Sequence, residues 1–414
     1  MHVRELTALE FDNFTKNYNV HSLYQTVEYA NVMKEQKFGI VFLGLVDENN
    51  NILAASLILI QKLFGFKYAY APRGFLIDYS NFKLVETFTK GVKKYLGKKD
   101  VIAIKMNPLI IKTIYDNKNK VIATNSYYDA IFEDLKKLGF YHLGYNNYFE
   151  AFKPRFEAVI DINAPYYILF NDLKKEFKTK IRSVDQKGVK IYRGTINELS
   201  YLSIQTEKKY PRDLKYFQDV YLNFDQKKNV EFYYSKLDTE TYLKTIQNDL
   251  VKQELVTTKI NSEISTKNSE KLLNRKLQAD KVLAYYKNQL VLATQLLKDH
   301  PEGIITSACL IIKNHDEVYL LMDGYDPQYK FLSSKHLLIW KLMEKYSKEG
   351  FNKFNLGGMS NYALKNNKYK QLNEFKFGFN AKAVEYIGDL ELITNQALYF
   401  IYRNSAPIRG ILKK

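Results

Sequence analysis

Apolar runs alternate with amphipathic segments in the first third of the chain. Three β-branched runs predict strands, and they are Val41 to Val46, Ile52 to Ile60 and Val101 to Met106. Helices are predicted from the cap residue Asn81 to about Leu96, and from Asp129 to Leu138 with a stop at Gly139. The first unit is therefore expected to be α/β.

A comparable order of elements follows Pro154. Strands are predicted at Ala158 to Ile162, Ile304 to Ile312 and Val318 to Met322, and a helix around Leu169 to Val184. A chain of 414 residues is long enough for two or three domains. Two similar α/β units in tandem are therefore expected, although no sequence repeat relates them.

The segment from Thr241 to Lys298 contains neither Gly nor Pro, and its apolar residues recur at helical spacing. The polar stretch Ser265 to Glu270 divides it into two series. This pattern predicts an antiparallel helical hairpin whose narrow apolar seam leaves it projecting into solvent. The alternative is a helix pair packed inside a domain.

The charge of the chain is strongly positive. A formal net charge of +17 arises from 62 basic and 45 acidic side chains. Such a field attracts polyanions, among them tRNA, pyrophosphate lipids and anionic membranes. The alternative is that the charge serves only solubility.

Cysteine usage and hydropathy bear on location. Cys309 is the single cysteine and lies in an apolar run, so it is expected to be a small buried hydrophobe in a reducing cytoplasm. The longest apolar stretch, Ile52 to Ile60, is much shorter than the roughly 20 residues of a membrane span. The sequence predicts neither secretion nor a transmembrane segment.

Several common sites are not indicated. No two glycines stand two positions apart, which excludes the dinucleotide fingerprint and the Walker loop and disfavours an acyl-CoA pyrophosphate turn. The six histidines never approach metal-ligand spacing, so no metal is expected. A Ser-His-Asp site assembled in space stays open, although no G-x-S-x-G elbow is present.

Four stretches resemble segments of the Fem aminoacyltransferase family, in the same order and with similar spacing. They are APRGFLIDYSN (Ala71 to Asn81), AIKMNP (Ala103 to Pro108), YPRDLKYFQDVY (Tyr210 to Tyr221), and FNLGGMSN with EFKFGFNAKAVEYIGDL (Phe354 to Leu390). The family also has a helical hairpin between the third and fourth. The resemblance covers essentially the whole chain.

The resemblance implies an α/β (α+β) fold of two tandem acetyltransferase-like (GNAT-like) domains with an inserted antiparallel coiled-coil hairpin. The expected ranges are 1–152 for the first domain, 153–240 with 299–390 for the second, 241–298 for the hairpin, and 391–414 for a segment that packs back on the first domain and ends in a basic tail. It also implies catalysis without a metal or a dissociable cofactor.

The function implied is transfer of Gly, Ala or Ser from aminoacyl-tRNA to the stem peptide of a peptidoglycan precursor. The implied partners are aminoacyl-tRNA, lipid II or a related undecaprenyl-linked precursor, the inner membrane face, and a homologous partner or second copy. The expected location is the cytoplasm, peripherally at the membrane. Two alternatives stay open: an acyl-CoA-dependent N-acyltransferase, and a non-catalytic tRNA- or partner-binding protein.

Matching positions imply roles for individual residues. Lys34 and Arg212 correspond to the family's phosphate-binding residues, and an ammonium with a guanidinium suits a pyrophosphate. Phe375 and Lys376 match an F-K pair whose lysine stabilises charge during transfer. The basic stretch from Lys174 to Arg193 is expected either to bind the tRNA acceptor arm or to be a solvated helix face.

The remaining candidates line the substrate groove in the family pattern. They are Arg73, Asp78, Lys105, Asn107, Tyr216 and Tyr319, of which Arg73, Asp78 and Lys105 suit ion pairs of the fold equally well. Two positions depart from the family. Asn107 replaces an acid, so it cannot take a proton. Near Tyr319 the family's Y-x-Y-G or Y-x-G pattern is replaced by YLLMDG, which contains Met322 and Asp323.

Overall fold

The structure is a computed structural model that describes residues 1–149, 153–206, 213–225, 228–267 and 269–404. Within them, no helix combines the length and apolarity needed to cross a bilayer.

Strands and helices alternate through the first 142 residues, as predicted for an α/β unit. Its elements are β1 (His2–Glu5), α1 (Ala8–Asn17), α2 (Val27–Glu35), β2 (Gly39–Val46), β3 (Ile52–Leu63), β4 (Phe66–Ala71), α3 (Phe82–Gly97), β5 (Val101–Met106), β6 (Ile111–Tyr115), β7 (Val121–Thr124), α4 (Tyr128–Lys137) and β8 (Phe140–His142). Asn81 caps α3 by accepting a hydrogen bond from the amide of Leu84. Gly139 follows α4 with a φ of +91°, a conformation that suits glycine at a helix end.

The second unit and the hairpin follow. Their elements are β9 (Phe156–Asp161), α5 (Tyr166–Asp172), α6 (Lys175–Gln186), β10 (Val189–Gly194), α7 (Leu199–Thr206), α8 (Leu214–Asn223), β11 (Val230–Leu237), α9 (Thr239–Thr266), α10 (Glu270–Asp299), β12 (Ile304–Asn314), β13 (Glu317–Tyr325), α11 (Ser334–Lys348), β14 (Lys353–Met359), α12 (Lys370–Gly378), β15 (Lys382–Tyr386), β16 (Leu390–Ile393) and α13 (Gln396–Asn404).

The single helix predicted around Leu169 to Val184 is wrong, because the structure has two helices there, α5 and α6. The chain between them is extended at Leu173. The amide of Lys174 donates to the carbonyl of Gly378 at 3.1 Å instead of continuing α5. A contact distant in sequence therefore ends the first helix.

Two sheets organise the strands, and each contains one parallel pair. The first has the order β1-β2-β3-β4-β5-β16-β8, and the second β10-β11-β12-β13-β14-β9-β15-β6-β7. The parallel pairs are β4 with β5 and β13 with β14. Strands also cross between the units, because β16 completes the first sheet and the β6–β7 hairpin extends the second. The predicted α/β class, with two units in tandem and an inserted helical hairpin, is confirmed.

Three large apolar clusters hold the chain together. One lies beneath the first sheet with α3 and α4, and one beneath the second sheet with α11. The third joins the units, with Phe11 and Leu57 from the first packing together with Phe217 and Phe232 from the second, all fully buried. Cys309 is fully buried, as its apolar neighbours predict. The continuous third cluster fixes the two units against each other.

The helical hairpin is formed by α9 and α10. Its base belongs to the core of the second unit, where Tyr242, Ile246 and Ala293 are fully buried. Farther out, Leu255 and Leu277 are 68% and 52% exposed. The hairpin is therefore an arm whose base packs in the second unit and whose outer part projects into solvent.

Candidate active site

Lys376 lies in the last turn of α12 and is buried, with 8% of its surface exposed. Its Nζ donates to the carbonyls of Leu356 and Gly358, each at 2.6 Å. The register between β14 and β9 shifts between Asn355 and Gly358. In a regular strand pair these carbonyls would accept hydrogen bonds from the neighbouring strand. At the irregular part of β14 they can accept from the lysine instead.

Burial lowers the pKa of Lys376 to about 7, and the neighbouring charge of Lys335 acts in the same direction. The carboxylates of Asp323 and Glu157 oppose the shift. Lys335 forms an ion pair with Asp323 close by. An amine with this pKa exchanges its proton near neutral pH, which is the property required of a group that meets developing charge.

Phe375 packs beside Lys376 in an aromatic cluster. Its ring centroid lies 5.1 Å from that of His336 and 5.2 Å from that of Phe379. The ammonium of Lys335 lies 4.4 Å from the same ring. Phe375 therefore holds α12 and Lys335 together, and it presents an aromatic wall next to the buried lysine.

Gly378 explains why this segment needs glycine. A Cβ at this position would lie 2.1 Å from the ring of Phe177 in α6. The close approach brings the basic helix α6 against α12. This contact joins two features that the sequence offered separately, the basic stretch and the F-K pair.

Arg73 is buried in an ion pair. Its guanidinium donates to Glu157 at 2.6 Å and to the carbonyl of Pro154 at 2.9 Å, and it stacks 4.8 Å from the ring centroid of Tyr386. Tyr319 donates to the same carboxylate at 3.3 Å. Arg73 and Tyr319 are thus brought together around Glu157, and their contacts with substrate stay predictions.

Lys105 and Asn107 share a second network. The Lys105 ammonium lies 2.7 Å from Asp389. Asn107 donates to Asp389 at 3.3 Å, and its carbonyl oxygen accepts from the amide of Arg73 at 2.9 Å. The amide at position 107 therefore ties the two networks together. This use suits a side chain that both donates and accepts.

Asp78 lies apart from these networks. It is exposed and accepts from the amide and hydroxyl of Ser80 at 2.9 and 2.6 Å. These bonds shape the turn before α3. For Asp78 the structure gives a local structural role, and substrate binding stays a prediction.

Lys34 and Tyr216 lie on two helices that pack together. Gln36 at the end of α2 donates to Asp219 of α8 at 2.9 Å. Lys34 is exposed in the last turn of α2, whereas the ring of Tyr216 is buried in the cluster between the units. Arg212 lies outside the described residues, so the predicted pairing of Lys34 with Arg212 across one cleft stays a prediction.

A cavity of about 410 Å³ opens beside the Arg73 network, between the first unit and the second sheet. Its walls carry four carboxylates that were not among the predicted site residues: Glu157, Asp161, Asp316 and Glu317. The sequence feature that could have indicated them is an ionisable residue at the start or end of an otherwise apolar strand. Asp389 was also missed, although it lies within the fourth family-like stretch.

Comparison with known proteins identifies the family. The model of the FemAB family matches residues 6–405. The aminoacyltransferase FemA of Staphylococcus epidermidis is 24% identical over 433 aligned residues, which cover 99% of this chain and 100% of the relative. FemA of Staphylococcus aureus is 25% identical over 427 residues, with 97% of each chain covered.

The fold agrees with that assignment. The crystal structure of FemX superposes with a TM-score of 0.73 at 22% identity, covering 97% of this chain and 99% of FemX. The resemblance inferred from the four stretches is therefore confirmed. Because the family model matches nearly the whole sequence, this chain belongs to the FemAB family.

Proposed function

We propose that this chain transfers an amino acid from aminoacyl-tRNA to an amine on the stem peptide of a peptidoglycan precursor, and so builds the interpeptide bridge. Relatives named as aminoacyltransferases align over the full chain and support this enzyme class. The observation that carries the proposal is Lys376, a buried amine fixed by two carbonyls, with its pKa lowered to about 7.

The reaction is aminolysis of an ester. The acceptor amine attacks the aminoacyl carbonyl, the new C–N bond forms, and the C–O bond to the terminal ribose breaks. Lys376 in its protonated form donates to the oxygen on which negative charge develops. Such a donor is effective because the surrounding protein has already excluded water and fixed its position. The phosphates of bound tRNA favour the protonated form of this amine.

The basic face of α6 is the proposed approach for the donor. This helix buries Phe177, Ile181 and Val184 and exposes most of its cationic side chains. The Phe177 ring centroid lies 6.0 Å from that of Phe375, so α6 runs directly beside the proposed catalytic lysine. Contacts from this face to tRNA phosphates would be independent of sequence and sensitive to salt.

The acceptor is proposed to bind where α2 meets α8. Lys34 supplies an exposed ammonium there, and Arg212 stands two positions before α8 in the sequence. Together they would hold a pyrophosphate from two sides. A lipid-linked acceptor would place the chain in the cytoplasm at the inner membrane face. Association with a homologous partner or a second copy also belongs to this proposal.

Mass spectrometry of wall muropeptides tests the function in cells. Strains with the gene, without it, and with the Lys376→Met variant would be compared. The proposal expects bridges shortened or absent in the second and third strains, and the mass difference identifies the amino acid. Unchanged muropeptides in the strain without the gene would refute it.

A further inference from the structure

The cavity between the units has an apolar floor and a charged end. Leu109, Ile111 and Ile114 pack with Val159 and Val384 to form a continuous aliphatic surface. Carboxylates of β9 and β13 lie along its edge. The volume of about 410 Å³ is enough for an extended alkyl chain with attached polar groups.

Two of the four carboxylates here are paired with cations, and a third, Asp316, is exposed and accepts from the side-chain amide of Asn352 at 3.1 Å. Glu157 binds the guanidinium of Arg73, and Asp161 binds the ammonium of Lys382. Glu317 instead accepts a hydrogen bond from the neutral amide of Asn355 at 3.0 Å, and among the described residues no cation lies within ion-pair distance of it. The same amide nitrogen donates to Glu157 at 2.9 Å. Asn355 therefore links one neutralised carboxylate to one that has no counter-ion.

The environments separate the pKa values of this pair. Burial and the charge of Glu157 raise the pKa of Glu317 to about 7, against the Asn355 hydrogen bond and the nearby Lys353. Burial acts on Glu157 too, but Arg73 and Asn355 prevail and lower its pKa. When two linked carboxylates have pKa values that their environments separate, the one with the lower pKa stays ionised and the one with the higher pKa can accept a proton.

We propose that this cavity binds the acceptor's primary alkylamine and that Glu317 takes a proton from its ammonium group. The aliphatic floor would contact the alkyl chain, and the unpaired carboxylate would meet the cation at its end. This inference rests on the proposed function and supplies it with a base. The Fem-like acid position cannot do so here, because it is occupied by Asn107.

The proton transfer balances with the aminolysis. The ammonium first gives one proton to the Glu317 carboxylate, which becomes a neutral acid. The free amine then attacks the ester carbonyl, and its second proton goes to the departing ribose hydroxyl. One proton remains on Glu317 and is released to solvent after the product leaves.

The pH dependence follows from the groups that face Glu317. These are Glu157 and Asp161 on β9, Asp316 just before β13, Tyr319 on β13, Lys353 on β14, Lys382 and Tyr386 on β15, Arg73, and His21 with Tyr24 between α1 and α2. Their described pairing leaves Glu317 as the carboxylate titrating near neutrality. The turnover number should therefore rise with pH through about 7 as Glu317 ionises. A falling limb should follow as Lys376 loses its proton, because the phosphates of bound tRNA raise its pKa above the value of about 7 in the free protein.

The test compares Glu317→Gln with the parent and with Glu302→Gln, which removes an exposed carboxylate of the same unit. Transfer from charged tRNA to precursor would be followed across pH, with folding checked by thermal unfolding. We expect Glu317→Gln to lower kcat at least ~100-fold and to lose the rising limb. Glu302→Gln should match the parent. Added formate should restore part of the activity of Glu317→Ala.

The outcomes separate the two proposals. If the parent is active and Glu317→Gln keeps a near-parental rate with an unchanged pH profile, Glu317 is not the base. The proposed function would then still stand. An inactive parent would instead overturn the function. If Glu317→Gln lowers the thermal unfolding temperature, Glu317→Asp provides the test instead. Aspartate keeps the carboxylate on a shorter side chain, so the variant should keep the rising limb of the pH profile at a reduced rate. A flat profile in that variant would contradict the proposal.

Discussion

Replacing Lys376 by methionine removes the cation while keeping the length and apolar character of the side chain. If the ammonium donates to developing charge, its loss should lower kcat about 100- to 1000-fold, with substrate binding changed much less. The matched control is Lys370→Met at the exposed start of the same helix, which should leave kcat unchanged. Single-turnover transfer and separate binding measurements distinguish the two effects.

The same variant tests the protonation state of the buried amine through stability. The pKa falls from 10.5 in the unfolded chain to about 7 in the folded one, so above pH 7 the unfolded chain binds the extra proton. Stability of the parent should therefore rise with pH in this window, by about 2 kcal/mol from pH 7 to pH 9 relative to Lys376→Met. Other titrating groups cancel in that difference.

Urea unfolding of the parent, Lys376→Met and Lys370→Met at the two pH values measures this quantity. A stability difference that does not change with pH would show that the folded protein keeps Lys376 charged throughout. A near-parental kcat in a folded Lys376→Met variant would remove the lysine from the chemistry. Either result would show that Lys376 does not act as a buried amine of lowered pKa that stabilises charge during transfer.

Three further perturbations have defined outcomes. Glu157→Gln leaves Arg73 buried without its counter-ion and should cost about 3 to 5 kcal/mol in urea unfolding, whereas Glu133→Gln in the exposed pair with Lys136 should cost under about 1 kcal/mol. A short loop in place of residues 252–282 should leave the thermal midpoint nearly unchanged, while Tyr242→Ala at the arm's base should cost about 3 to 5 kcal/mol. Lys180→Gln on the exposed face of α6 should reduce the salt dependence of tRNA binding by about one phosphate contact, measured by titration at several salt concentrations, and an unchanged slope would contradict the proposed donor path.

Local sequence signals predicted most of the elements because they depend on periodicity and capping. The strands of the first unit, the cap at Asn81, the stop at Gly139 and the long hairpin all follow from residues close together in the chain. The break before α6 did not, because it depends on the carbonyl of Gly378, about 200 residues away. Pairing of β6 and β7 with the second sheet is likewise decided by a distant strand.

For the site as well, the sequence indicated some residues, and only the structure showed their partners. The family-like segments pointed to Lys376, Arg73, Lys105 and Asn107, but not to the carboxylates that hold them. Glu157 meets Arg73 across 84 positions, and Asp389 meets Asn107 across 282. Asn355 acquires its role only where β14, β9 and β13 come together. A single sequence does not show which residues of distant strands lie opposite each other. These partners could therefore be identified only from the structure.

The direct assay for the proposed activity is transfer of a labelled amino acid from charged tRNA to lipid-linked precursor by the purified protein. Label should appear on the stem peptide of the precursor, ribonuclease treatment of the donor should abolish transfer, and acyl-CoA should not serve as a donor. Absence of transfer from every charged tRNA offered, or equal transfer from acyl-CoA, would contradict the proposed activity.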